Sequence, residues 1–208
     1  MVSTHGGKDR LAYSRWSIEL EEENKERLTS KRTDSKTKLI RSTKKGDRGK
    51  TRLLTGEKVS KSNFRIEACG NLDESSSAMG LAKAFTRNEK LRGIISAIQQ
   101  ELVVLGAELA STDPGRIAKF IGLEHISRLE EWINELQKEH PLAPRFVEPG
   151  ANSVSAALDL ARSVIRRTER SVVTLKELGQ IERPEVLKYV NRLGCLLYIM
   201  ARYAEKAP

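Results

Sequence analysis

The chain has 208 residues, of which 38% are hydrophobic, 5% aromatic and 31% charged, with a formal net charge of +9. That length suits one domain with an appendage, and it is enough to bury an aliphatic core without disulfides or a structural metal. No run approaches the roughly 18 apolar residues that span a bilayer, and the opening MVSTHGGKDRLAYSRW lacks the apolar stretch of a secretory signal, so a cytoplasmic protein is expected, off the membrane.

Residues 1–52 hold 15 Lys/Arg against 8 Asp/Glu, ahead of a nearly neutral body. Such a basic segment either binds an anion or is a solvated tail. Residues 1–38 carry almost no regular apolar pattern and read as a polar, poorly ordered extension, with the folded domain over 39–208. Residues 39–70, punctuated by Gly46, Gly49, Gly56 and Gly70, read as a loop that makes contacts.

From Asn71 onward the pattern is helical. A first helix is predicted over about residues 71–85, with Asn71 as N-cap and Glu74 closing a capping box. A second, over about 89–110, repeats Leu91, Ile94, Ile95, Ile98, Leu102, Leu105 and Leu109 at helical spacing. Asp113-Pro114-Gly115 stops it. A third covers about 124–139, followed by the Pro-bounded loop that holds Phe146. A fourth covers about 153–178 and a fifth about 184–205, with Pro184 tolerated in the first turn. No β-type alternation of useful length occurs. The fold class expected is all-α, a five-helix bundle behind an irregular basic N-terminal segment.

Several chemistries are absent from the pattern. Cys69 and Cys195 form no CxxC pair, and His5, His125 and His140 stand apart, so no protein-bound transition metal is expected. The two thiols read as buried or semi-buried. No GxSxG occurs. Thr43-Lys44-Lys45-Gly46-Asp47-Arg48-Gly49-Lys50-Thr51-Arg52 ends in GKT, but only two residues separate its glycines, so it is not a Walker A loop. It can still cradle a phosphate through backbone N–H groups and the charges of its Lys and Arg, extended by Lys58, Lys61 and Arg65. A flexible basic loop is the equal alternative.

In the fourth helix, Val154, Leu158, Ala161, Ile165 and Val172 centre one apolar face, with Arg162 and Glu169 within about 80° of it. Arg166 and Arg170 continue that edge, and Arg167 points away. Either this is a surface ion-pair ladder or its surplus positive charge meets an anion. Asp73 and Glu74 suit a helix dipole, although Asp73 could reach an arginine of the fourth helix. Phe146 reads as core. Asn191, about 140° from its helix's apolar centre, reads as solvated.

Taken together, TKKGDRGKTRLL, KVSKSNFRIEACGNLDE, IQQELVVLGAELAS, RFVEPG, ALDLARSVIRRTER and YVNRLGCLLYIMAR resemble the PduO-type ATP:cob(I)alamin adenosyltransferases, in that family's order and over residues 43–203. The resemblance implies an enzyme that transfers the 5'-deoxyadenosyl group of ATP to Co(I) of reduced cobalamin and releases triphosphate. It implies a homotrimer with active sites between subunits, and Mg2+ beside the nucleotide. A cobalamin reductase and an adenosylcobalamin-dependent enzyme are the partners it suggests. By the same resemblance, Thr43, Lys44, Gly46, Asp47, Gly49, Lys50, Thr51, Lys58 and Lys61 form the ATP loop, within residues 43–65. Arg162, Arg166, Glu169 and Asn191 line or support the nucleotide site. Asp73 and Arg162 match a salt bridge across subunits, and Phe146 matches the aromatic that closes the lower face of the corrin. Arg166, Arg162, Asp73 and Phe146 are thus the catalytic set. Departures are Ala151 for a usual Gly, Ser76 for a usual Asn, Asp159 for a frequent His and Cys69 for a Tyr. A non-catalytic ATP- or corrinoid-binding protein is the runner-up, and a nucleic-acid binder ranks last because aromatic stacking platforms are missing.

Overall fold

The computed structural model describes residues 44, 46–142 and 146–206. The chain divides into two units, 1–44 and 45–208, and every described helix belongs to the second. The expected extension over 1–38 and the site candidate Thr43 lie outside the described residues.

Five helices follow a small hairpin. They are α1 (Phe64–Phe85), α2 (Glu89–Leu109), α3 (Leu123–Glu139), α4 (Ser153–Glu177) and α5 (Pro184–Lys206). Four begin within a residue or so of the expected positions, and their ends agree as closely. The exception is α1, which starts seven residues before the expected Asn71. Its N-cap is Asn63, whose side chain accepts from the Arg65 N–H. Gly70 therefore sits inside a helix and not in the loop assigned to it. Its cost of about 1 kcal/mol relative to Ala is a local preference that tertiary contacts override. One such contact is made by Arg65, which is buried and donates to Leu109 O at 2.8 Å and Gln180 O at 2.5 Å. It satisfies a carbonyl at the end of α2 that no helical N–H can reach.

A second correction concerns strands. Residues Lys50–Arg52 (β1) and Lys58–Ser60 (β2) pair antiparallel, with Lys50 opposite Ser60, Thr51 opposite Val59 and Arg52 opposite Lys58. Three residues per strand give too short an alternation to read from sequence.

The helices pack in the order α2, α1, α4, α5, α3, each on the next. The core is aliphatic, as the composition required, and runs through Leu91, Ile95, Ile98, Leu105, Leu158, Ile165, Leu193 and Leu197, all at 0% exposure. One polar network crosses it: Glu101 accepts from the Tyr189 hydroxyl at 2.7 Å and from Arg128 Nε at 2.9 Å. Burial, then the Glu101 charge, pushes the Tyr189 hydroxyl well above its usual pKa. Cys69 is half-buried and its pKa is pushed up to about 11, first by burial and then by Asp73. Cys195 is exposed, contrary to expectation. Among the described residues no helix is long and apolar enough to cross a membrane.

Candidate functional site

Helix α4 presents two different edges. The edge toward α1 carries Arg167, which was expected to point away. Its Nε donates to Asn71 Oδ1 at 2.8 Å and its Nη2 pairs with Glu74. Asn71 also donates to Ser171 Oγ at 3.1 Å. Asn71 and Glu74 are thus interhelical partners. The expected capping box does not form, because the helix has already run two turns by that point.

The other edge faces α5, and there the two antiparallel helices form a ladder. The Arg162 guanidinium lies 5.4 Å from the centre of the Tyr198 ring. The aliphatic stem of Arg166 lies beside Gly194, where a Cβ would stand at ordinary contact distance. Glu169 accepts from Asn191 Nδ2 at 2.8 Å. Asn191 Oδ1 in turn accepts from Arg192 Nη1 at 3.0 Å, and Arg192 Nε is 2.7 Å from Glu130. Asn191 is therefore exposed but held, not merely solvated. Arg166 is exposed, and neither it nor Arg162 has an ion-pair partner among the described residues. Among the described residues the two guanidinium groups thus stand without a carboxylate partner, beside a glutamate that is held by an amide.

Below this ladder Asp159, the departure from the family's frequent His, is buried. Its Oδ2 lies 2.6 Å from Arg202 Nη2. Arg202 also approaches Glu205 at 2.9 Å and the Tyr198 ring centre at 5.2 Å. Two guanidinium groups thus share one aromatic ring, and the inner one is fixed by a carboxylate.

The glycine loop forms a tight turn at the base of the hairpin. Gly49 N–H donates to Gly46 O at 3.1 Å, and Lys61 N–H donates to Gly49 O at 2.9 Å. Gly49 needs its glycine because φ is +66°. A Cβ at Gly46 would stand 3.0 Å from Lys61 Nζ, the flexible end of an exposed side chain that can move aside. Asp47, Lys50, Lys58 and Lys61 are exposed and Thr51 is half-buried. Lys44 is exposed with φ 53°. Strand alternation puts Lys50, Arg52 and Lys58 on one face, with Arg52 and Lys58 directly opposite. Like charges in that position repel, so this face is a second basic surface, with Arg52 Nη1 donating to Gly56 O at 2.8 Å.

The structure does not join the two basic surfaces within one chain. No hydrogen bond or ion pair links the hairpin's cations to Arg162, Arg166 or Glu169 among the described residues. The hairpin leads into α1, whose Arg65 reaches Gln180, just past the end of α4. Arg166 is 11 residues from that end at Glu177, about 16 Å along the axis. Asp73 is exposed without an ion pair among the described residues, so it does not meet Arg162 in the same chain. Phe146 is 92% exposed, not core. Sequence reasoning missed Tyr198 and Arg192. The spacing of Asn191, Gly194 and Tyr198, at i, i+3 and i+7, could have found Tyr198.

The cobalamin adenosyltransferase family model matches residues 41–204. The chain belongs to this family. Among its relatives, the corrinoid adenosyltransferase of Citrobacter freundii is 40% identical over 168 residues, 80% of this chain and 95% of that one. The corrinoid adenosyltransferase PduO of Salmonella typhimurium is 38% identical over 77% of this chain, which spans about half of that longer protein (48%). A solved variant of a PduO-type ATP:corrinoid adenosyltransferase from Lactobacillus reuteri, complexed with cobalamin and ATP, superposes with a TM-score of 0.74 at 32% identity, covering 80% of this chain and 91% of that one.

Proposed function

We propose that this chain is an ATP:corrinoid adenosyltransferase, which moves the 5'-deoxyadenosyl group of ATP to Co(I) of a reduced corrinoid and releases triphosphate. The observation that carries the reading is the α4–α5 ladder, where Arg162 and Arg166 stand without carboxylate partners next to an engaged Glu169–Asn191 pair. The reaction is displacement at carbon. Co(I) supplies the electron pair to C5', the C5'–O bond breaks, and its electrons leave with the triphosphate. No proton need be moved, and the substrates carry the chemistry while the protein orients them.

Arg166 binds the triphosphate and stabilises charge growing on the leaving oxygen. The hairpin face of Lys50, Arg52 and Lys58, with Lys61 over the Gly46 turn and Thr51 beside it, holds the rest of the polyanion. Lys44, Asp47 and Gly49 belong to the same loop, and Thr43 precedes it. The exposed Phe146 ring covers the lower face of the corrin and keeps water and the lower ligand from the cobalt. About 16 Å separates Arg166 from the hairpin's end of the bundle, which supports a site built from two subunits of a homotrimer. Asp73 then meets Arg162 of a neighbour, and neither has an ion-pair partner among the described residues of its own chain.

Magnesium fits this arrangement in a limited way. Among the described residues no three His, Cys, Asp or Glu side chains form a cluster. Asp47 is the exposed carboxylate on the loop, so it would hold the ion together with triphosphate oxygens and water. The ion would supply charge neutralisation. The setting we propose is cytoplasmic, with a cobalamin reductase upstream and an adenosylcobalamin-dependent enzyme downstream. The test mixes the purified protein with ATP, magnesium and chemically reduced cobalamin and follows the visible spectrum. Conversion to the adenosylated form supports the reading, and full binding of both substrates without conversion overturns it.

A further inference from the structure

The hairpin that presents Lys50, Arg52 and Lys58 cannot hold itself in place. A two-stranded sheet is marginal alone, and its Arg52–Lys58 pair repels. The structure shows what holds it. Leu53 is buried, Leu54 N–H donates to Ala110 O at 2.9 Å, and Arg116 Nη1 donates to Thr55 O at 2.7 Å. At the centre is the Glu57 carboxylate. The Thr55 hydroxyl donates to one of its oxygens and the Thr112 hydroxyl to the other, at 2.5 Å. Thr112 N–H donates to Thr55 Oγ1 at 3.3 Å, closing the ring. Thr112 and Arg116 lie in the corner after α2, far along the chain from the hairpin.

We propose that Glu57, Thr112 and Arg116 are positioning residues for the nucleotide: they lock the hairpin to the corner after α2, so that its cationic face is assembled before ATP arrives. The inference rests on the reading of that face as part of the ATP site. Without the lock, ordering the strands against their own repulsion would be drawn from the binding energy of ATP. The lock acts equally on bound ATP and on the transition state, so its loss raises KM for ATP and leaves kcat alone. Hydrogen bonds from Thr112 first, then Thr55, hold the Glu57 carboxyl down at about 2 against an ordinary 4.5. A lowered value means that the contribution is complete above about 4.5 and is lost as pH falls toward 2. The lock is therefore constant across neutral pH.

The test compares Glu57→Gln, Thr112→Val and Thr112→Ser in the full chain, by steady-state kinetics, ATP titration calorimetry and thermal melting. Glu57→Gln should raise KM for ATP about tenfold and Thr112→Val about fivefold, the size expected for charge-assisted bonds. Thr112→Ser keeps the donor and should restore the unaltered value. KM for the corrinoid and kcat should not move. The double variant should match Glu57→Gln alone, since both changes open the same ring. A lower melting temperature with unchanged KM for ATP would leave only a structural role and overturn the proposal. So would a fall in kcat at constant KM. If the unaltered protein binds no ATP, the reading of the site fails first, and with it the lock.

Discussion

Two edges of α4 use arginine in opposite ways. On the α1 side, Arg167 ends on Asn71 and Glu74, and deeper in the same bundle Arg202 ends on Asp159. On the α5 side, one residue before Arg167, Arg166 has no ion-pair partner among the described residues. The residue type, the helix and the sequence neighbourhood are shared. What differs is whether the fold provides a carboxylate. Where it does, the arginine fastens two helices; where it does not, the charge is left to the ligand proposed for it. The contrast teaches that arginines in such a run should be sorted by their partners and not by their order.

Substitutions should break the two classes differently. The largest effect on folding is expected from Asp159→Ala. It leaves the buried Arg202 with Glu205 alone, at 2.9 Å, so the cost is at most about 3–5 kcal/mol, that of an uncompensated buried charge. Urea denaturation measures this, and activity should be lost only as the folded fraction is lost. Arg166→Ala should do the reverse. Loss of about 2–4 kcal/mol of transition-state stabilisation lowers turnover by roughly 30- to 1000-fold, while the urea midpoint stays where it was. Unchanged turnover would remove Arg166 from the chemistry, and an equal fall in stability would erase the distinction between the edges.

Phe146→Ala should have an intermediate effect. An exposed ring contributes nothing to the fold, so stability holds. The lost apolar cover, worth about 1.5 kcal/mol, should slow the reaction that starts from Co(II) by about tenfold. A reaction supplied with preformed Co(I) should suffer less, and equal slowing of both would count against the wedge. The smallest effect belongs to Glu74→Gln. The Arg167–Glu74 pair is 43% and 56% exposed, so solvent screening limits its loss to about 0–1 kcal/mol of stability. A larger loss would mean that this edge carries more than a fastening role.

Much of the fold was legible because it depends on local periodicity. The apolar repeats of α2 to α5 were long enough to set each helix within a residue or two, and the Pro and Gly signals between them did the rest. The start of α1 was not legible. Its first turns are held by Arg65 reaching carbonyls at Leu109 and Gln180, and contacts that distant in sequence leave no local trace. The hairpin escaped for a related reason, since its strands are too short to show alternation and are fixed by Glu57, Thr112 and Arg116. Phe146 was misread as core because aromatic residues are usually buried, a preference that the exposed loop around it overrides.

The sequence by itself determined a helical bundle with an aliphatic core, a glycine-bearing cationic loop and a run of arginines on α4, because these follow from spacing and residue type. Only the tertiary structure decided which arginines are free. That choice depends on where α1 and α5 set their carboxylates and amides against α4, and a helix turning 100° per residue separates Arg166 from Arg167 by enough to give them different neighbours.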